Sequence, residues 1–172
     1  MAKNVEVKAK VEDSTALRAR IEALSDAEVE VLDQEDTFFH TPRGRLKLRT
    51  FPDGRGELIA YVRPDEAGPS PSDYSILRTE NPTGIKSFLS DVLGVRGVVR
   101  KRRFLYRIGQ TRVHLDEVDG LGTFLELEVV LDDGQSNEDG ERIASEISAL
   151  LDMSDESRIG SAYIDLLENA EE

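Results

Sequence analysis

V-V-R-K-R-R-F-L-Y-R, residues Val98–Arg107, is a β-prone run in which basic side chains interleave with Val, Phe, Leu and Tyr. From Arg96 to Arg112 there are seven basic residues (Arg96, Arg100, Lys101, Arg102, Arg103, Arg107 and Arg112) and no acidic one, in a chain of 22 basic and 35 acidic residues. Alternate residues of a strand face opposite sides. Lys101 and Arg103 therefore share a face with Val99 and Leu105, while Arg100, Arg102 and Phe104 point the other way. If the Lys101/Arg103 face is enclosed, two cations repel one another in a low-dielectric space unless an anion neutralises them. The expected anion is a ligand. On that view Lys101→Ala or Arg103→Ala relieves repulsion and raises the melting temperature of the ligand-free protein.

Composition bounds the rest. A length of 172 residues suggests one domain, 1–172, with a substantial core. Hydrophobic content of 38% with 33% charged residues reads as a soluble globular chain. No apolar run approaches the roughly 20 residues needed to span a bilayer, and MAKNVEVKAK lacks the apolar stretch of a signal peptide. The expectation is a cytoplasmic protein with no membrane partner. The absence of cysteine excludes disulfides and thiolate metal sites. A net charge of −13 argues against general nucleic-acid affinity, and 6% aromatic residues are few for a base-stacking platform. The charge is unevenly spread: residues 116–172 hold eighteen acidic side chains and two basic ones, Arg142 and Arg158, whereas 43–63 and 96–112 are basic. That distribution suits a local anion site inside an acidic shell, with 132–172 largely a solvated helical surface.

Outward from the basic strand, Lys3–Val11 alternates strictly, with Val5, Val7, Ala9 and Val11 opposite Asn4, Glu6, Lys8 and Lys10. Asp13 or Ser14 caps a helix striped by Leu17, Ile21 and Leu24. Asp36–Phe39 is a short strand, Gly44–Phe51 sets Arg45, Lys47 and Arg49 opposite Leu46 and Leu48, and Glu57–Arg63 puts Ile59, Tyr61 and Arg63 on one face. Pro64–Ser72 reads as a mobile loop and Ser72–Thr79 as a strand. A helix from Asn81-Pro-Thr83 stops at Gly94, ahead of the basic strand. Thr111–Asp116 and Phe124–Leu131 follow, the latter with Glu126 and Glu128 opposite Leu125, Leu127 and Val129. Helices around Ile143–Leu150 and Ser161–Leu167 end the chain.

About eight strands in hairpin succession imply an α+β protein with an antiparallel sheet. Periodicity leaves two architectures open: an open sheet with its charged face in water, or a closed eight-stranded barrel with the charged faces inward and helices packed outside. The chemistry favours the barrel. Its inner faces would carry the cations Lys8, Lys10, Arg45, Lys47, Arg49, Arg63, Lys101 and Arg103, and the carboxylates Glu6, Asp116, Glu126 and Glu128. Clustered carboxylates without a nearby histidine or cysteine suit Mg²⁺ or Mn²⁺. Beside an array of Lys and Arg, such a cluster is what a polyphosphate requires. His114 reads as a hydrogen-bonded wall residue. Tyr61 and Tyr106 either line the site or pack against helices. Gly120 and Gly122 make a turn and not a phosphate loop.

V-E-V-K near the N-terminus, G-R-L-K-L-R at 44–49, E-L-I-A-Y-V-R-P-D at 57–65, V-x-K-x-R-x-x-Y at 99–106 and H-L-D-E-V-D-G-L-G-x-F-L-E-L-E at 114–128 together resemble the CYTH family. That family includes class IV adenylate cyclases and thiamine triphosphatases, within the triphosphate tunnel metalloenzymes, and the likeness is greatest to the cyclase-like branch. The resemblance implies an eight-stranded antiparallel tunnel binding a small-molecule triphosphate with Mg²⁺ or Mn²⁺; the expected assembly is a monomer or homodimer. The family's E-x-E-x-K signature falls on Asn4, Glu6 and Lys8, so an amide stands where the first carboxylate is usual. The remaining matches assign Lys8, Lys101 and Arg103 to catalysis and phosphate binding, and Glu6, Glu126, Glu128 and Asp116 to metal. Arg45, Lys47, Arg49 and Arg63 would line the tunnel, and strand parity adds Lys10 to the expected substrate-binding residues. The implied reaction is cyclisation of ATP or hydrolysis of a triphosphate, with a non-catalytic triphosphate binder as the rival class.

Overall fold

The alternating N-terminal run forms β1 (Ala2–Lys10) in a computed structural model, which describes residues 2–171. Asp13 accepts a hydrogen bond from the Ala16 amide and starts α1 (Ser14–Leu24). There follow β2 (Glu30–Phe39), β3 (Arg45–Thr50), β4 (Gly56–Val62) and β5 (Ser70–Thr79). Asn81 caps α2 (Pro82–Leu93), and β6 (Val95–Ile108), β7 (Thr111–Val118) and β8 (Gly122–Val130) run on as hairpins. Ser136 and Asp139 form a capping box on α3 (Asn137–Leu150). A two-residue strand, β9 (Arg158–Ile159), and α4 (Tyr163–Ala170) complete the described chain.

The strands are antiparallel in the order β5-β4-β3-β2-β6-β7-β8-β1, and the first half of β1 returns to β5 with Ala2 opposite Tyr74 and Glu6 opposite Ser70. That last pairing closes an eight-stranded barrel with helices outside, so the inward-facing alternative holds. The second half of β1 pairs instead with β9, Lys8 opposite Ile159. No periodicity announces a strand two residues long.

The direction in which each strand faces follows from where its apolar side chains can be buried. Val5 and Val7 of β1, Val113 and Leu115 of β7, and Leu125, Leu127 and Val129 of β8 lie under Leu17 and Ile21 of α1 and Ala144 and Ile147 of α3. Full burial of one such side chain contributes about 1.5–3 kcal/mol, and a one-residue slip would turn every one of them inward. The helices therefore fix the aliphatic face outside and the ionisable face inside. At one end of the barrel Ala162, Tyr163 and Ile164 at the start of α4 pack against Phe38, Val99, Val118 and Phe124. Gly97 admits this plug, since a Cβ there would lie 2.5 Å from Ile164 Cδ1.

The second strand is longer than its short apolar end suggests. Glu30–Gln34 look too polar for a strand, but across the β2–β6 ladder Asp33 stands opposite Arg102 and Glu35 opposite Arg100. Arg102 Nε donates to Asp33 at 2.8 Å and Arg100 Nε to Glu35 at 3.0 Å. The outward half of the basic run thus meets an acidic partner strand. These exposed pairs fix register more than they stabilise.

Candidate active site

The register of β1, β8 and β7 sets side chains into two rows across the cavity wall. Lys8 lies opposite Glu126, which lies opposite His114; Glu6 lies opposite Glu128, which lies opposite Arg112. Arg63, following β4, donates to Glu6 at 2.8 Å. Burial, and behind it repulsion from Glu126 and Glu128, nevertheless push the Glu6 carboxyl up to about 7. Burial likewise pushes Lys8 down to about 8, although Glu126 is 3.9 Å away. Glu126 goes the other way: against the effect of its burial, the neighbouring imidazole, Lys8 and Arg103 hold it well below the usual carboxylate range. Burial and the Arg103 guanidinium lower His114, leaving its ring neutral at neutral pH.

The facing wall, from β2, β3 and β6, is built on one carboxylate that the sequence did not single out. Asp36 is 1% exposed and accepts two hydrogen bonds from Arg49 at 2.8 Å and one from Lys101 at 2.9 Å, with Lys47 at 3.1 Å. Against its burial, those three cations hold its carboxyl well below the ordinary range. One anion does not satisfy them all. Burial, then Arg49, Arg103 and Lys47, push Lys101 down to about 7.

Arg103 differs. It makes a two-pronged bond to Asp116 at 2.8 Å on each arm, and Tyr163 donates to the same carboxylate at 2.8 Å. This corrects two expectations. Asp116 is a counter-ion, its carboxyl held at about 2 by Arg103 despite burial, and both its oxygens are engaged, so it does not join the metal cluster. Lys101 and Arg103 are not two bare cations awaiting a ligand, because each already has a carboxylate partner.

Glu6, Lys8, Lys47, Arg49, Arg63, Lys101, Arg103, Glu126 and Glu128 line one cavity of about 500 Å³. Nine Lys and Arg and six Asp and Glu surround it, a positive surplus inside a chain of net charge −13. Lys10 and Arg45, expected in the tunnel, do not line it. Their strand parity is right, but they sit at the plugged end. Lys10 lies over the Phe124 ring and donates to the Leu121 carbonyl, while Arg45 is tied to Asp65 at 2.8 Å and to Asp165 of α4 at 2.9 Å. Arg96 holds the same helix through Asp165 and Glu168, and Lys8 donates to the Ser161 carbonyl at 3.1 Å. Tyr61 lines the cavity, whereas Tyr106 packs outward in the layer under α1. Gln34, Asp36, Arg112 and Tyr163 also line it and were not anticipated. Shared strand parity with Asp116 was the one signal for Arg112 and His114.

Glu126, Glu128 and His114 offer ligand atoms that all lie within 4.8 Å of one another, and they are the metal-capable group among the described residues. Asn4 is 1% exposed and its side-chain oxygen has no hydrogen-bond partner. Two carboxylates and an imidazole form a donor set that fits a small divalent cation, and the Asn4 amide oxygen lines the same cavity.

The CYTH domain family model matches residues 2–163. Adenylate cyclase CyaB of Aeromonas hydrophila is 28% identical over 138 residues, spanning 75% of this chain and 70% of that protein. The structure of the PH1012 protein from Pyrococcus horikoshii OT3 superposes with a TM-score of 0.85 at 25% identity, covering 95% of this chain and 98% of that one. HpAC1 from Hippeastrum, for which a dominant triphosphatase activity is described, superposes with a TM-score of 0.67 at 18% identity over 98% of this chain and 96% of its own. At that identity the likeness is one of fold.

Proposed function

The chain belongs to the CYTH domain family, and from that membership we propose that it is a divalent-metal-dependent enzyme acting on a small-molecule triphosphate, most like a class IV adenylate cyclase. The observation that carries the reading is the opposition of the two walls: Lys47, Arg49 and Lys101 share one carboxylate on one side, and Glu6, Glu126 and Glu128 crowd together on the other. A polyphosphate answers the surplus cations of the first wall, and its cation the mutual repulsion of the carboxylates on the second.

Lys8, Lys47, Arg49, Lys101 and Arg103 bind and orient the phosphate chain. Glu6, Glu126 and Glu128 would hold the metal, which would supply Lewis-acid stabilisation of developing phosphate charge. The α4 plug makes the cavity blind, so the inorganic end of the substrate lies inside. An organic group occupies the mouth, where Phe51, Tyr74 and Ile76 stand beside Arg55 and Arg78. In cyclisation the ribose 3′-hydroxyl attacks the α-phosphorus and pyrophosphate leaves. In the alternative, water attacks the terminal phosphorus and orthophosphate leaves; both reactions use the same cradle.

The test is to incubate purified protein and Mg²⁺ or Mn²⁺ with ATP, thiamine triphosphate and inorganic tripolyphosphate, and to identify the products. Cyclic AMP with pyrophosphate is the expected result, lost in Glu126→Gln. Orthophosphate alone selects the triphosphatase. Tight, metal-insensitive binding without turnover makes the chain a triphosphate-binding module.

A further inference from the structure

His114 is 1% exposed, and neither of its ring nitrogens has a hydrogen-bond partner. A buried polar group in that state costs about 1–3 kcal/mol, and buried imidazoles are ordinarily bonded. The surrounding side chains offer no remedy. Asp116, two residues along β7, is saturated by Arg103 and Tyr163. Glu126 Oε1 is 3.7 Å from Nδ1, too far for a hydrogen bond. That separation does suit two ligands of one ion: donors about 2.1 Å from a common cation stand roughly 3.0–4.2 Å apart.

We infer that His114 is the nitrogen ligand of a mixed nitrogen–oxygen metal site completed by Glu126 and Glu128, and that this donor set selects Mn²⁺ or a similar first-row transition dication over Mg²⁺. The inference rests on the reading of the cavity as a metal site and goes beyond it to ligand identity and metal choice. Mg²⁺ takes oxygen donors almost exclusively, and its binding leans on ligand charge. Here Asn4 contributes an amide where a carboxylate would add charge, and Glu6 is engaged by Arg63. An imidazole adds a stronger donor for transition ions without adding charge. The β7–β8 register fixes it in place, because His114 lies directly opposite Glu126.

The test is electron spin-echo envelope modulation on the full chain loaded with Mn²⁺, alone and with inorganic tripolyphosphate, which contains no nitrogen. The expected spectrum has an imidazole ¹⁴N coupling. The chain has only two histidines, and the other, His40, is exposed in the turn after β2, so His40→Gln leaves the coupling in place. His114→Gln removes it and weakens Mn²⁺ roughly tenfold or more, while the Mg²⁺ dissociation constant stays within about threefold. Mn²⁺ bound without ¹⁴N coupling overturns the inference and leaves the metal reading of the cavity standing. So does an equal loss of Mn²⁺ and Mg²⁺ affinity in His114→Gln. No metal binding under either condition overturns both. The unsubstituted protein alone decides the coupling, whether or not the variant folds.

Discussion

On the β2–β3–β6 wall one carboxylate, Asp36, answers three cations, whereas on the β1–β7–β8 wall Glu6, Glu126 and Glu128 crowd together around Lys8, Arg63 and Arg112. Each wall pushes one of its own groups towards neutrality. Lys101 falls to about 7 on the first and Glu6 rises to about 7 on the second, burial being the largest cause of both shifts. An ion pair that merely stabilised the fold would drive both partners towards their charged forms. On the proposed reading, the ligand brings anions to one wall and a cation to the other.

The largest expected effect comes from removing the one anion of the cationic wall. Asp36→Asn leaves Lys47, Arg49 and Lys101 buried without a counter-charge, which costs about 3–5 kcal/mol in urea unfolding, and tripolyphosphate restores part of the loss. A variant as stable as the parent protein would mean that those cations are not desolvated.

Truncating the two cations separates them, contrary to the expectation that both relieve repulsion. Arg103→Met strands Asp116 at the bottom of the fold and lowers stability by about 3 kcal/mol. Lys101→Met leaves Asp36 still bonded to Arg49 and close to Lys47, so the melting temperature holds or rises, while tripolyphosphate binding weakens at least tenfold, about 1.4 kcal/mol. Equal losses of stability in the two variants would make them a single structural pair.

A pH series sharpens the same contrast. Lys101 is lowered from 10.5 to about 7, so between those values the unfolded chain holds a proton that the folded chain does not, and Lys101 makes stability rise with pH. Below about 7 the folded protein bears the full penalty of the buried charge. In Lys101→Met that contribution to the slope disappears from denaturation midpoints measured between pH 7 and 10. A slope that survives unchanged would assign it to other groups.

The smallest effect is on the carboxylate wall. Glu128→Gln removes part of the repulsion acting on Glu6, whose carboxyl then titrates lower, towards the ordinary 4.5, with less than about 1 kcal/mol change in stability at pH 7. Carboxyl ¹³C titration reads this directly, and an unmoved Glu6 would leave its shift to burial and Glu126.

Much of this was legible from residues. The alternation of Lys3–Val11, of Arg45–Arg49 and of Glu126–Glu128 gave the strands and their two faces, because a strand reverses its side chains at every residue. Of the twelve expected site residues, those that failed did so for tertiary reasons. Lys10 and Arg45 have the right parity but the wrong height along the barrel, beyond a plug supplied by a helix more than a hundred residues away. Asp116 is on the inner face but is consumed by Arg103 and Tyr163. Asp36 was overlooked because an acidic residue in an acidic run carries no local mark of being enclosed.

The sequence by itself determined most of the strands, which side chains share a face of each strand, and the family resemblance, since all three rest on residue type and spacing along the chain. Only the tertiary structure decided which inward charges meet one another. That depends on strand register, on barrel tilt and on the α4 plug, which join residues far apart in the chain through packing that no local pattern encodes.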